Sequence, residues 1–238
     1  AGGAPYDVLR ELSSRIATAA AKTGIGLTHL PVLYTYGGAG QMPLEAGQAR
    51  FGNSVDRFND LVARARDVVA HLPADCQVGI APHSLRATSP DDLKAVLAAQ
   101  TAGPVHIHSA EQPKEVADIS AWLGARPVEW LLANADVTTN WCLIHATHMT
   151  ADETTKMAKS GAVAGLCPVT EANLGDGPFN GPGPLDAGGA LGAGSASNGL
   201  APPTDRVRAV AAPQRPRAVA PSGMGGGQGH AGERTSPG

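Results

Sequence analysis

The sequence predicts an α/β fold, an incomplete TIM-type (β/α)8 barrel, on three observations. Six apolar stretches of strand length recur, at residues 26–33, 77–81, 104–107, 141–144, 162–167 and 190–194. Segments with helical periodicity lie between most of them. Candidate strands end in polar residues able to do chemistry: His83 and Arg86, then His108 and Glu111, then His145 and His148, then Glu171. Polar groups gathered at the carboxyl ends of successive parallel strands mark the active face of such a barrel. A doubly wound sheet is the alternative, but it would concentrate its ligands at one switch point. Six strands are two short of closure.

The elements follow in chain order. After the first strand comes a Gly-rich loop, residues 37–50 (GGAGQMPLEAGQAR), expected to be flexible and placed to cover a site. A Ser-Pro start opens a helix over 91–99, with Leu93, Val96 and Leu97 on one face. The third strand runs into VHIHSAE, the most informative stretch of the chain. Strand alternation points His106 and His108 to the same side, and a turn after His108 brings Glu111 back beside it. One imidazole to hold a metal and one carboxylate to move protons is what metal-assisted hydrolysis requires. Pro127 suits the first turn of a helix over 128–132. Residues 150–160 open as Thr-Ala-Asp-Glu, a capping-box pattern, and stop before Gly161. In TEANLGDG, Glu171 and Asn173 line the expected pocket without an assigned step, and Gly175 and Gly177 serve a turn, not a phosphate.

Composition excludes several function classes. A hydrophobic fraction of 42% with 16% charged residues suits a globular domain with a substantial core. A net charge of -3 offers no electrostatic reason to expect nucleic acid or an acidic membrane as partner. No apolar stretch is long enough to span a bilayer, and no basic-then-hydrophobic leader opens the chain. Cys76, Cys142 and Cys167 are odd in number and widely spaced, and they read as reduced thiols of a cytoplasmic protein. Hydrophobic periodicity ends near Leu200. The expected division is therefore a partial barrel over residues 1–199 and a disordered tail rich in Ala, Pro, Arg and Gly over 200–238. That tail has the bias a GC-rich gene gives in a wrong frame, and its sparse arginines lack interleaved aromatics.

These motifs carry a family resemblance. AAAKTGIGLTHLPVLY, APHSLRATSP, GPVHIHSAEQPKEV, GARPVEWLL, WCLIHATHMTADE, SGAVAGLCPVTEANLGDG and GGALGAGSASN resemble the formimidoylglutamate deiminases of the amidohydrolase superfamily, over roughly residues 5–199. The resemblance implies a zinc-bearing barrel, of which strands three to eight are present. It implies hydrolysis of N-formimidoyl-glutamate to N-formyl-glutamate and ammonia in histidine degradation, by a cytoplasmic homo-oligomer. It makes His108 the metal ligand of the fifth barrel strand, Glu111 the proton shuttle and His145 the histidine beside the attacking water at the sixth. His83 and Arg86, in HSLR, match positions that hold the substrate, and a planar guanidinium suits a glutamate carboxylate.

The departures from the family are specific. Its first-strand His-x-His pair, its second strand and its small β domain have no counterpart here. Where the family has an aspartate ligand on the eighth strand, this chain reads Gly194-Ser195-Ala196-Ser197, and the Ala196 methyl cannot ligate zinc. One expected ligand of four remains, so weak zinc binding and little or no turnover are expected. The expectation is that the chain is an incomplete reading of a deiminase gene, which sequencing of the locus tests. A non-catalytic fragment and an amidohydrolase for another amino-substituted compound stay open. Read without the resemblance, His108 and Glu111 are a core histidine and a surface glutamate. Arg86 could equally cap a helix or pair with Asp91 or Asp92, while His106 fills an inner layer of the barrel, and His29, His71 and His148 are structural or exposed.

Overall fold

The computed structural model describes residues 11–100, 102–177, 179 and 182–194. Residues 195–199, including Ala196, and the tail from 200 lie outside the described residues. The elements run α1 (Glu11–Thr23), β1 (Thr28–His29), β2 (Val32–Leu33), α2 (Val55–Val69), β3 (Gln77–Val78), β4 (Ala81–Pro82), α3 (Pro90–Ala99) and β5 (Val105–Ser109). They continue α4 (Pro113–Leu123), α5 (Pro127–Asn134), β6 (Trp141–His145), α6 (Ala151–Ser160), β7 (Val163–Leu166), α7 (Pro168–Leu174), α8 (Pro182–Asp186) and β8 (Ala190–Ala193).

All strand pairs are parallel: β1 pairs with β3 and β2 with β4, while β5, β6, β7 and β8 pair in chain order. The first two expected strands are each broken in half, for one covalent reason. Gln77 N–H donates to Leu27 O at 2.7 Å, Gly79 to His29 O at 3.0 Å and Ala81 to Pro31 O at 2.9 Å. Pro31 has no N–H with which to return a bond to Gly79, so one rung is missing between β1 and β2. On the other side, Ile80 donates to Pro104 O and accepts from His106, both at 2.9 Å. Pro82 lacks the next donor, and the ladder resumes one residue late, with His108 N–H on His83 O at 2.9 Å. His83 therefore sits in a local bulge beside His108.

The helices cover one face of this sheet. Val105, Ile107, Trp141 and Leu143 are buried on it, against a core that includes Phe58 and Val62 of α2, Leu93 and Val96 of α3, Ile119 of α4 and Leu131 of α5. The alternate positions His106, His108, Cys142 and Ile144 are only half-buried, on the opposite face. Alternating burial of this kind, with helices on one side of a parallel sheet, is the (β/α)8-type arrangement, here as an arc of six strand positions among the described residues. β8 is the weakest member, mostly exposed along its length.

The helices begin and end where the local chemistry allows. Ser89 and Thr150 accept the N–H groups of Asp92 and Glu153 at 3.1 Å each, and Glu153 returns a bond to Thr150 N–H at 2.7 Å. α4 and α6 end at Gly124 and Gly161 in the left-handed conformation. α1, α2, α4 and α7 lie in stretches with no helix assigned from sequence. The loop over 37–50 is tied down, with Gly37 N–H on Met42 O at 2.8 Å and Gln48 Nε2 donating to Gly37 O at 3.0 Å. No disulfide joins the cysteines, and burial pushes the Cys142 thiol up to about 11. Among the described residues, no helix is long and apolar enough to cross a membrane.

Candidate active site

Five of the residues singled out from sequence meet at the carboxyl ends of β4, β5 and β6. His83 stacks on His108 with ring centroids 4.7 Å apart, and His108 lies 5.5 Å from His145. Glu111 Oε1 is 3.3 Å from His145 Nε2, and Glu111 Oε2 accepts from Arg86 at 2.9 Å. Glu111 is nine-tenths buried.

Local backbone geometry makes this cluster. Ser109 is the register partner of His145, and His108 of Ile144. Regular alternation would therefore send the His145 side chain to the face opposite His108. His145 and Ala146 instead take the left-handed conformation, with φ of 70° and 50°, and the ring turns back to His108. Ala110 does the same before Glu111, with φ of 52°. Left-handed backbone costs a non-glycine residue about 1–2 kcal/mol, so something must hold it. At Ala110 that is Glu115, in the first turn of α4. Its buried carboxylate accepts Ala110 N–H at 3.1 Å and Glu111 N–H at 2.9 Å. At His145, the Glu171 carboxylate takes the ring's Nδ1 at 3.1 Å and also accepts Cys167 N–H at 2.8 Å.

Burial disfavours the charged form of His83, His108 and His106. Burial, then repulsion from His108 and Arg86, pushes His83 down to about 3. Burial lowers His108 as well, against the raising effect of its bond to the His83 carbonyl. Burial also lowers His106. His108 Nδ1 lies 2.8 Å from His83 O, which can only accept, so Nδ1 carries the proton and Nε2 keeps its lone pair. That is the tautomer a metal ligand needs. It is one ligand. Among the described residues no three His, Cys, Asp or Glu side chains form a group able to hold a metal ion. A catalytic zinc takes three protein ligands, so these residues do not make up a zinc site by themselves.

Other sequence candidates lie apart from the cluster or serve it indirectly. Arg86 pairs with Glu111 and stands 3.9 Å from Glu115, rather than with Asp91 or Asp92. His148 Nε2 lies 2.7 Å from Asp176 O, and its own carbonyl accepts from Arg126. His29 Nε2 is 3.0 Å from Ser13 Oγ, and His71 is exposed. Two participants carried no expectation from sequence. Tyr34 meets His83 edge-on at 4.6 Å and accepts from Gln48 of the 37–50 loop at 3.2 Å. Glu115 is the second; its signal was available, because a glutamate two residues after a helix-opening proline commonly reaches back to free N–H groups.

The sequence matches the amidohydrolase family over residues 31–220. The chain belongs to that family. It is 51% identical over 178 residues to the formimidoylglutamate deiminase of Pseudomonas aeruginosa, a match covering 74% of this chain and 39% of the relative. It is 32% identical over 120 residues to the 5-methylthioadenosine/S-adenosylhomocysteine deaminase of Nitratidesulfovibrio vulgaris, covering 50% of this chain and 27% of that one. A crystal structure of an amidohydrolase from Brucella melitensis superposes with a TM-score of 0.87 at 52% identity, over 90% of this chain and 48% of the other. This amidohydrolase chain thus spans less than half the length of each of these relatives.

Proposed function

We propose that the cluster belongs to a hydrolytic deiminase acting on N-formimidoyl-L-glutamate, giving N-formyl-L-glutamate and ammonia. The observation that carries the reading is the convergence of His108, Glu111 and His145, with Glu111 Oε1 3.3 Å from His145 Nε2. The 51% identity to a formimidoylglutamate deiminase supports the choice of an amidine substrate.

In this reading water adds to the amidine carbon and the bond to the departing nitrogen breaks. Glu111 takes a proton from the attacking water and delivers it to that nitrogen, and the proton left on the added hydroxyl follows as the nitrogen leaves as ammonia. His145 steadies charge beside the attacking oxygen. His83 faces the substrate as a neutral ring, a hydrogen-bonding group without a competing charge. Arg86 offers its fork to the substrate carboxylate, which requires sharing or releasing its bond to Glu111. The family resemblance adds a zinc requirement. Of the four ligands that resemblance implies, His108 is the one present among the described residues, so we expect substoichiometric zinc and little or no turnover from this chain. A second reading, a non-catalytic amidohydrolase segment, is favoured by that same lone ligand.

Metal analysis of the purified chain and an ammonia-release assay with formimidoyl-glutamate test both readings. Substrate-dependent ammonia that disappears in Glu111→Gln supports the deiminase. Ammonia release equal in the native chain and Glu111→Gln sinks the assigned role. Calorimetric binding of formimidoyl-glutamate without release, lost in Arg86→Met, supports an impaired deiminase; neither binding nor release leaves the non-catalytic reading.

A further inference from the structure

We propose that Glu171 is a positioning residue that sets which nitrogen of His145 faces the reaction centre. The inference rests on the reading of His145 as a participating group. Glu171 stands 26 positions from His145 in sequence, in the first turn of α7 just past β7, and is buried. A single oxygen, Oε1, meets both His145 Nδ1 at 3.1 Å and Cys167 N–H at 2.8 Å. The backbone N–H can only donate, so this oxygen acts as an acceptor. The ring must then carry its proton on Nδ1.

In the neutral ring that leaves Nε2 as the nitrogen with a free lone pair, and Nε2 is the one 3.3 Å from Glu111 Oε1. Two acceptor atoms therefore face each other across a gap that one proton can bridge. Arg86 holds the other Glu111 oxygen at 2.9 Å, so Oε1 is the oxygen left for proton exchange. Remove Glu171 and the ring is free to put its proton on Nε2 and donate it to Oε1, which occupies the atom that should exchange a proton with substrate. Glu171 acts here through His145 and touches no substrate itself. Its effect is on the tautomer, and through it on kcat rather than KM.

The test reads the ring directly, by nitrogen-15 NMR of histidine in the full chain at about pH 8, above the ordinary imidazole value of about 6.5. His145→Gln assigns the resonance. The native chain is expected to show an Nδ1-protonated, neutral ring at His145. Glu171→Gln keeps that signature, because an amide oxygen can accept both bonds. Glu171→Ala loses it, shifting His145 toward the Nε2-protonated form; if that variant does not fold, Glu171→Asp, with its shorter arm, makes the same comparison. An Nε2-protonated ring in the native chain overturns the proposal. So does an unchanged Nδ1 signature in the folded Ala or Asp variant. A native chain that neither binds formimidoyl-glutamate nor releases ammonia would instead sink the deiminase reading and leave the tautomer result standing.

Discussion

Two left-handed residues outside glycine, Ala110 and His145, place the working groups of this site, and each is held by a distant or forward-lying glutamate. The strain is local but its compensation is not. Glu115 is 2% exposed and satisfies two N–H groups that the turn after β5 would otherwise bury without partners. Leaving a buried donor unsatisfied costs roughly 1–3 kcal/mol, so Glu115→Ala is expected to destabilise the fold by about 2–4 kcal/mol. Urea denaturation measures it, and a change within about 0.5 kcal/mol would show that the turn does not need the carboxylate. Glu115→Gln recovers only part of the loss, because its amide can accept at one atom where the carboxylate accepts at two.

Strand breaks at prolines, rather than poor strand propensity, shape the first half of the sheet. Between them Gly79 lies so close to its neighbour that an added Cβ would stand 2.1 Å from the Pro104 carbonyl oxygen. Backbone cannot yield that distance without separating the strands that carry His83 and His108. Gly79→Ala is therefore expected to cost about 3 kcal/mol, the upper end of overpacking effects. Gly124, at the end of α4, gives the contrast: nothing lies within 4 Å of its would-be Cβ, but its φ is 74°. Gly124→Ala pays only the left-handed penalty, about 1 kcal/mol. Thermal melts of the two variants separate crowding from backbone strain, and equal losses would contradict the distinction.

Across the molecule the sheet is best covered at its centre and least at its ends. β5 and β6 alternate buried and half-buried positions, whereas β8 is mostly exposed and Val32 of β2 is 42% exposed. Strand edges and apolar surface in that state favour self-association. Sedimentation velocity is expected to show oligomers or aggregates; a single monomeric species with a cooperative melt would count against this. Stability should also depend on acidity through His29, whose imidazolium form is disfavoured by burial, so its pKa lies below 6.5 in the fold. Above pH 6.5 the ring is neutral in both states and contributes no pH dependence. As pH falls below 6.5 the unfolded chain takes up a proton that the folded chain refuses, and stability drops until the folded pKa is passed. Melting temperature should fall through this window, and less steeply in His29→Gln.

Sequence alone was enough for whatever depends on neighbouring residues. Alternation placed His106 and His108 on one face, Thr150 with Glu153 capped a helix, and all six strand positions could be located from short apolar runs. The helix α2 carries the same kind of local signal, since Phe58, Val62, Ala65 and Val69 recur at helical spacing with charged residues on the opposite face, although no helix is assigned there from sequence. The chemistry of the site needed the folded chain. Arg86 meets Glu111 across 25 positions, His145 meets Glu171 across 26, and both contacts depend on parallel register and on two backbone torsions no propensity encodes. Alternation and caps are set within a few residues, but a hydrogen bond between distant side chains exists only once strand pairing has brought their ends together.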